Sequence, residues 1–230
     1  VKIAWAILRK DLTVELRTLE TIPAMAIFTV ATFVIFHFGL AQDTIGGQEA
    51  AGVFAVSLLF ASILGTNRLF VAEREQGGFD GFLLAPVDRS AMLIAKATAL
   101  FIYMVILEIV AVPAFAVFAD PPGLGGALGG LILFLLLADI AVALVGTLVS
   151  AMAVNTRARD LIGPIIGLPL LIPMLISFAI GTGKLLTNHG STAVPIFHHT
   201  PSGEWLLVLA LYDVFNALLA YAVFDYLLEE

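Results

Sequence analysis

The sequence predicts an all-α integral membrane protein, with six transmembrane helices preceded by an N-terminal amphipathic interfacial helix. Three observations predict it. Hydrophobic residues make up 60% of the 230 residues, charged residues only 13%, and the mean hydropathy is +1.05. A soluble domain is about 45–50% apolar and about 25% charged, so this composition has too few polar side chains to face water. The apolar residues fall in six runs of the roughly 20-residue length that crosses a bilayer. Ten of the eleven Lys and Arg lie on one side of the resulting topology.

Residues 1–20 form the first unit. Ile3, Ile7, Leu8, Leu12, Leu16 and Leu19 recur at helical spacing, with Lys2, Arg9, Lys10 and Arg17 between them beside Asp11 and Glu15. Such a helix fits the membrane surface, and the segment does not read as a signal peptide. Residues 21–230 form the transmembrane unit. Span 1 is expected over 22–40, with Pro23 in its first turn, where a missing N–H costs little. Span 2 is expected over 50–69 and span 3 over 91–118, with Pro113 as a kink. Asp120-Pro121-Pro122-Gly123 is a turn. Span 4 follows over 124–154. Span 5 covers 161–180 and contains Pro164, Pro169 and Pro173, whose freed carbonyls need other donors. Span 6 covers 205–228.

Cytoplasmic loops carry the excess of Lys and Arg. The opening segment has Lys2, Arg9, Lys10 and Arg17. The 2–3 loop and its flank have Arg68, Arg74, Arg89 and Lys96, and the 4–5 loop has Arg157 and Arg159. The other loops hold only Lys184. Both termini are therefore expected in the cytoplasm, and an odd number of spans would break the alternation.

The net charge of −7 and the absence of a basic cluster argue against nucleic acid as a partner. With no cysteine there is no disulfide, thiolate metal site or thiol nucleophile. A membrane enzyme would need a nucleophile, metal set or paired acids at one depth. No H-E-x-x-H or Ser–His pairing at suggestive spacing occurs. Gly181-Thr182-Gly183-Lys184 has a superficial likeness to a phosphate-binding loop. Leu185 stands where Ser or Thr belongs, and Phe178 where the first Gly belongs. It reads instead as the glycine-relaxed end of span 5.

Glu108, Asp139 and Asp213 fall inside spans, away from the span ends. Ionisable groups in the membrane are costly and are functional candidates. Glu108 and Asp139 lie mid-span and are expected either to bridge helices by a hydrogen bond or to serve a conformational step. Asp213 and its neighbour Tyr212 lie nearer the outer surface. All four histidines, His37, His189, His198 and His199, fall toward the outer side. Neutral imidazole is a good metal ligand, which makes the adjacent His198 and His199 the histidines to weigh. Adjacent histidines point different ways, so they make no ready chelate. Gly126-x-x-x-Gly130 and Gly163-x-x-x-Gly167 permit close helix approach.

The 2–3 loop combines a charge group, a Gly-Gly break and a short apolar piece ending at Pro86. This reads as a small amphipathic helix below the membrane, whose apolar face must bury against the bundle or a partner. The segment resembles the permease subunits of the ABC-2 transporter group. Their Glu-x-Glu-x-Gly, Leu-Leu and Pro pattern, with Lys at the head of the next span, falls on Glu73, Glu75, Gly77, Phe82 or Leu83, Leu84, Pro86 and Lys96. Within that group the chain resembles the CcmB family, the haem-exporter-type permeases of cytochrome c maturation. The likeness rests on Leu64-Gly65-Thr66-Asn67-Arg68-Leu69-Phe70, on Val154-Asn155-Thr156-Arg157-Ala158-Arg159-Asp160-Leu161, on Leu168-Pro169-Leu170-Leu171-Ile172-Pro173, and on the ending Leu211-Tyr212-Asp213 and Leu227-Leu228-Glu229-Glu230.

The resemblance implies an ABC-2-type permease bundle in the bacterial inner membrane, without its own ATPase and not itself an enzyme. ATP acts through a CcmA-like partner subunit. The coupling surface is then Glu73, Arg74, Glu75, Gly77, Gly78, Phe79, Phe82, Leu83, Pro86 and Arg89. The 4–5 loop residues Asn155, Arg157, Arg159 and Asp160 lie on the same side. The resemblance implies haem as cargo, with His198 and His199 as its candidate contacts, and no cofactor or metal is expected to be bound directly. CcmC-, CcmD- and CcmE-like membrane proteins, and a second copy of the chain, are the implied partners. The alternatives are an ion-coupled secondary transporter, which predicts broken helices in both halves, and an ABC-2 exporter of another substrate.

Overall fold

A computed structural model describes residues 2–40, 44–69, 89–154, 161, 163–187 and 201–227. Seven helices run through them: α1 (Lys2–Thr18), α2 (Thr21–Leu40), α3 (Gly47–Arg68), α4 (Arg89–Phe118), α5 (Leu124–Val154), α6 and α7 (Pro201–Leu227). Helix α6 begins as a π-helical turn, Gly163–Gly167, and continues as an α-helix, Leu168–Thr187. Helices α2 to α7 are each long and apolar enough to cross a membrane. Their outward faces carry large apolar side chains such as Ile27, Phe38, Ile109, Val117 and Leu218, as lipid as solvent requires. The sequence-predicted spans all appear, most within a few residues of the expected ends. Helices α4 and α5, with 30 and 31 residues, are about 45 Å long and exceed the hydrocarbon thickness of about 30 Å.

Helix α3 is the central post, packed most extensively against α6 and α2. An aromatic cluster joins five spans. Phe54 of α3 stacks on Phe115 of α4, with ring centroids 4.7 Å apart, and meets Phe33 of α2 edge-on at 5.5 Å. Phe178 of α6 meets Phe54 at 5.8 Å and Phe134 of α5 at 6.5 Å, both edge-on. All five rings are fully buried. Between helices already surrounded by apolar lipid, packing of this kind is a main source of association.

The end of span 5 differs from the sequence-based expectation. The helix does not relax at Gly181-Thr182-Gly183-Lys184 but continues to Thr187. Gly181 is there because the Phe134 ring occupies the space a Cβ would need. Gly130 likewise admits Leu185, whose Cδ2 would lie 2.6 Å from a Cβ. These glycines let α6 approach α5 within the chain. The expected Pro113 lies inside a continuous α4. Pro164 falls in the π turn and Pro169 in the first turn after it, where a missing N–H is tolerated. Pro173 is within the helix, and its carbonyl accepts a 2.8 Å bond from Ser177 Oγ. The turn after α4 is closed by Asp120 (φ 39°) and Gly123 (φ 84°), both in the left-handed region.

Helix α1 packs against α4 and turns into α2 through Leu19, a left-handed residue at φ 50°. Its buried face is Ile7, Leu8, Asp11 and Glu15. Ile3, Leu16 and Leu19 of the expected apolar stripe are exposed instead. The two acids occupy the inward positions for reasons given next.

Candidate functional site

The exit of α3 is held from three directions. The carbonyl of Leu69 accepts a 3.0 Å hydrogen bond from Lys96 Nζ, near the start of α4. Lys96 is only 1% exposed. Its ammonium also lies 3.0 Å from Asp11 Oδ2 of α1. Arg68 Nη1 donates to Glu20 Oε2 at 3.2 Å, in the elbow between α1 and α2. One turn back, the carbonyl of Thr66 accepts a 2.5 Å bond from Ser150 Oγ of α5. The stretch 66–69 is thus bonded to α4, α5 and the α1–α2 elbow, and reaches α1 only through Lys96.

Each bond has a local cause. Lys96 enters between helices on the apolar face of α4, where a lone ammonium would be costly. A carboxylate and a carbonyl together offset that cost. Asp11 also contacts Lys10 Nζ at 3.1 Å, and its carbonyl accepts from Tyr103 Oη of α4 at 3.4 Å. Glu15, one turn further along α1, accepts from the backbone N–H groups of Thr21 at 2.9 Å and Ile22 at 2.8 Å. Those are orphan donors at the start of α2, so Glu15 caps the next helix from within the previous one. Sequence reasoning missed both roles. The signal was present: Asp11 and Glu15 fall in register with Ile7 and Leu8 rather than with the basic residues.

Along their own helices Glu108 lies roughly 15 Å from Phe118, Asp139 roughly 22 Å from Leu124 and Asp213 roughly 18 Å from Pro201. The carboxyl groups of Glu108 (α4) and Asp139 (α5) are turned toward one another. Among the described residues no other group donates to Glu108 Oε1 or to either carboxyl oxygen of Asp139. Asp139 is fully buried and Glu108 nearly so. Asp213 of α7 is also buried, with neither carboxyl oxygen hydrogen-bonded among the described residues. Its neighbour Tyr212 donates to the carbonyl of Leu170, joining α7 to α6. Among the described residues no cluster of three His, Cys, Asp or Glu side chains suited to a metal ion occurs. His37 Nδ1 lies 2.7 Å from the carbonyl of Phe118, a bond that caps the end of α4.

Glu73, Arg74, Glu75, Gly77, Gly78, Phe79, Phe82, Leu83 and Pro86 lie outside the described residues, as do Asn155, Arg157, Arg159 and Asp160, and His189, His198 and His199. Arg89 begins α4, and its side chain is outside the described set. The described residues on either side of the 2–3 segment are Leu69, at the bonded α3 exit, and Arg89, the first residue of α4.

This six-span bundle with its N-terminal helix can be set beside known proteins. The CcmB protein family profile matches residues 2–223. The chain belongs to the CcmB family. Heme exporter protein B of Rhodobacter capsulatus is 30% identical over 172 residues, covering 74% of this chain and 78% of that protein. Heme exporter protein B of Bradyrhizobium diazoefficiens is 27% identical over 172 residues, 74% of this chain and 77% of the relative. The protein of the same name from Paracoccus denitrificans is 29% identical over 154 residues, 66% and 69% of the two chains. As a CcmB-family member the chain is a multi-pass membrane protein and a non-catalytic permease subunit.

Proposed function

We propose that this chain is the membrane permease of an ATP-driven haem-export complex serving cytochrome c maturation. It couples a separate CcmA-like ATPase to haem transfer, or to release of the haem-loaded CcmE-like chaperone from a CcmC-like protein. A CcmD-like protein and a second copy of the chain complete the assembly. The chain lies in the bacterial inner membrane with both termini cytoplasmic, and haem is cargo rather than a resident cofactor. The names of the relatives support the haem assignment.

The observation that carries the mechanism is the bonded α3 exit. The 2–3 segment, with Glu73, Arg74, Glu75, Gly77, Gly78, Phe79, Phe82, Leu83, Pro86 and Arg89, is the docking surface for the ATPase. Asn155, Arg157, Arg159 and Asp160 belong to the 4–5 loop, which the Lys and Arg distribution assigns to the same cytoplasmic side. ATP-driven closure of the ATPase pair displaces the 2–3 segment. Because Thr66, Arg68 and Leu69 are bonded to α5, the α1–α2 elbow and α4, the displacement moves several helices together. This is rigid-body transmission through packed contacts. The Glu108–Asp139 contact sits between α4 and α5, two of the helices so moved, and adjusts as they shift.

The test is a mild-detergent pull-down from the native membrane, with mass spectrometry of co-purifying proteins, beside a Glu73→Ala/Glu75→Ala variant. Recovery of an ATPase and a haem-handling membrane protein, with loss of the ATPase in the variant, is expected. Recovery of the chain alone in both samples would overturn the reading in favour of an ion-coupled transporter.

A further inference from the structure

The inward placement of Asp11 and Glu15 has an outward counterpart. Both acids are spent inside the fold, on Lys96 and on the start of α2. The exposed face of α1 therefore carries Lys2, Arg9, Lys10 and Arg17 with no exposed acid among residues 2–18. Beside this face, α1 and α4 leave an open groove of about 290 Å³. Its walls are almost wholly apolar and include Ala4, Trp5, Leu8, Ala91, Ile94 and Ala95. Trp5, 64% exposed, and Ile94, 59% exposed, form the lips. Lys2 lies three residues before Trp5 and Arg9 four after it, so one exposed cation sits a turn to either side of the indole.

We propose that this groove binds one anionic phospholipid of the leaflet on the α1 side. An acyl chain lies along the alanine-lined wall between α1 and α4, and the phosphate is held between Lys2 and Arg9. Three features favour that occupant. The groove lies where an amphipathic helix meets the membrane surface, so lipid is its immediate neighbour. The apolar cleft, with Lys2 and Arg9 a turn to either side of Trp5, is complementary to an amphiphile with a net anionic head, whereas a zwitterionic head brings its own ammonium toward those cations beside its phosphate. Trp at the mouth is the side chain suited to the headgroup boundary, with an apolar body and one N–H donor. The inference is independent of the transported cargo and needs only that the bundle span a membrane.

Tryptophan fluorescence tests it directly. The chain has two tryptophans, so Trp205→Phe leaves Trp5 as the only emitter. The full chain is reconstituted into phosphatidylcholine nanodiscs containing increasing brominated phosphatidylglycerol or, separately, brominated phosphatidylcholine. Trp5 is expected to reach half-quenching at a roughly tenfold lower mole fraction of the anionic lipid. Lys2→Gln/Arg9→Gln, on the exposed face, should abolish the preference and keep the final quenching. Ala4→Leu should lessen quenching by either lipid. Coincident curves for the two lipids would show an ordinary lipid annulus and overturn the proposal. Absence of quenching by both would show the groove filled by protein, and would overturn it equally.

Discussion

Lys96 Nζ lies 3.0 Å from Asp11 Oδ2, pairing the start of α4 with the middle of α1 across 85 positions of sequence. The same ammonium holds the carbonyl of Leu69 at 3.0 Å. One buried cation thus joins α1, the end of α3 and the head of α4, the last two being the helices that the 2–3 segment connects. In the proposed mechanism this is where motion of the segment enters the bundle.

Removing the cation should be costly. Lys96→Met leaves Asp11 buried with Lys10 as its remaining cation, and is expected to destabilise the protein by about 3 kcal/mol, toward the low end for a broken buried pair. The double variant Lys96→Met/Asp11→Leu should recover most of that loss, since a buried ion pair is often replaceable by apolar side chains. Apparent Tm in detergent, read by loss of the monodisperse chromatographic peak, follows both. A double variant no more stable than Lys96→Met would contradict the pairing.

Glu15 offers a sharper test of the elbow. Its single Oε1 serves the N–H groups of both Thr21 and Ile22. Glu15→Ala should cost about 1–2 kcal/mol, as for other lost helix caps, and Glu15→Gln less, because the amide oxygen still accepts. Limited proteolysis at the α1–α2 junction should speed up in that order. Equal cleavage of wild type and Glu15→Ala would show that the carboxylate does not cap α2.

Gly181 is a packing position and not a helix end. Gly181→Ala places a methyl against the Phe134 ring and is expected to cost about 1–3 kcal/mol by overpacking. Phe134→Leu in the same chain should relieve part of it, visible as a partial return of apparent Tm. If Gly181→Ala alone leaves Tm unchanged, the close approach of α5 and α6 there is wrong.

The Glu108–Asp139 contact lacks donors among the described residues. Asp139→Asn supplies an amide N–H₂ that can donate to Glu108, and should be at least as stable as wild type. Asp139→Leu removes the partner and strands Glu108 in an apolar setting, with an expected loss of about 1–3 kcal/mol. Thermal scans of the two variants side by side decide this. Greater damage from Asn than from Leu would mean that the two carboxyls do not face each other.

Much of the architecture was legible because lipid imposes a simple rule: each spanning helix must be apolar over about 20 residues. The spans and the turn at residues 120–123 follow from that rule and from Pro and Gly chemistry. The length of span 5 was misjudged because glycine signals both a helix end and a close approach, and only the position of Phe134 separates them. The coupling of Lys96 to Asp11 was not legible, since a pairing across 85 positions leaves no local pattern. Asp11 and Glu15 looked like the acidic partners of an exposed basic helix, and their register with Ile7 and Leu8 was the overlooked sign. Glu108 and Asp139 were recognisable as costly mid-span acids, but that they meet follows only from the packing of α4 on α5.

The central claim is that the 2–3 segment receives the ATPase, and the absence of native cysteine makes it directly testable. Single cysteines at Arg74, Phe79 and Phe82, with controls at Thr44 and Lys184, would be treated with a short thiol-to-amine cross-linker in native membranes. The account predicts covalent adducts with a soluble ATPase subunit from the three segment positions and none from the controls. Adducts from the controls, or none from the segment in membranes where the ATPase is present, would contradict it.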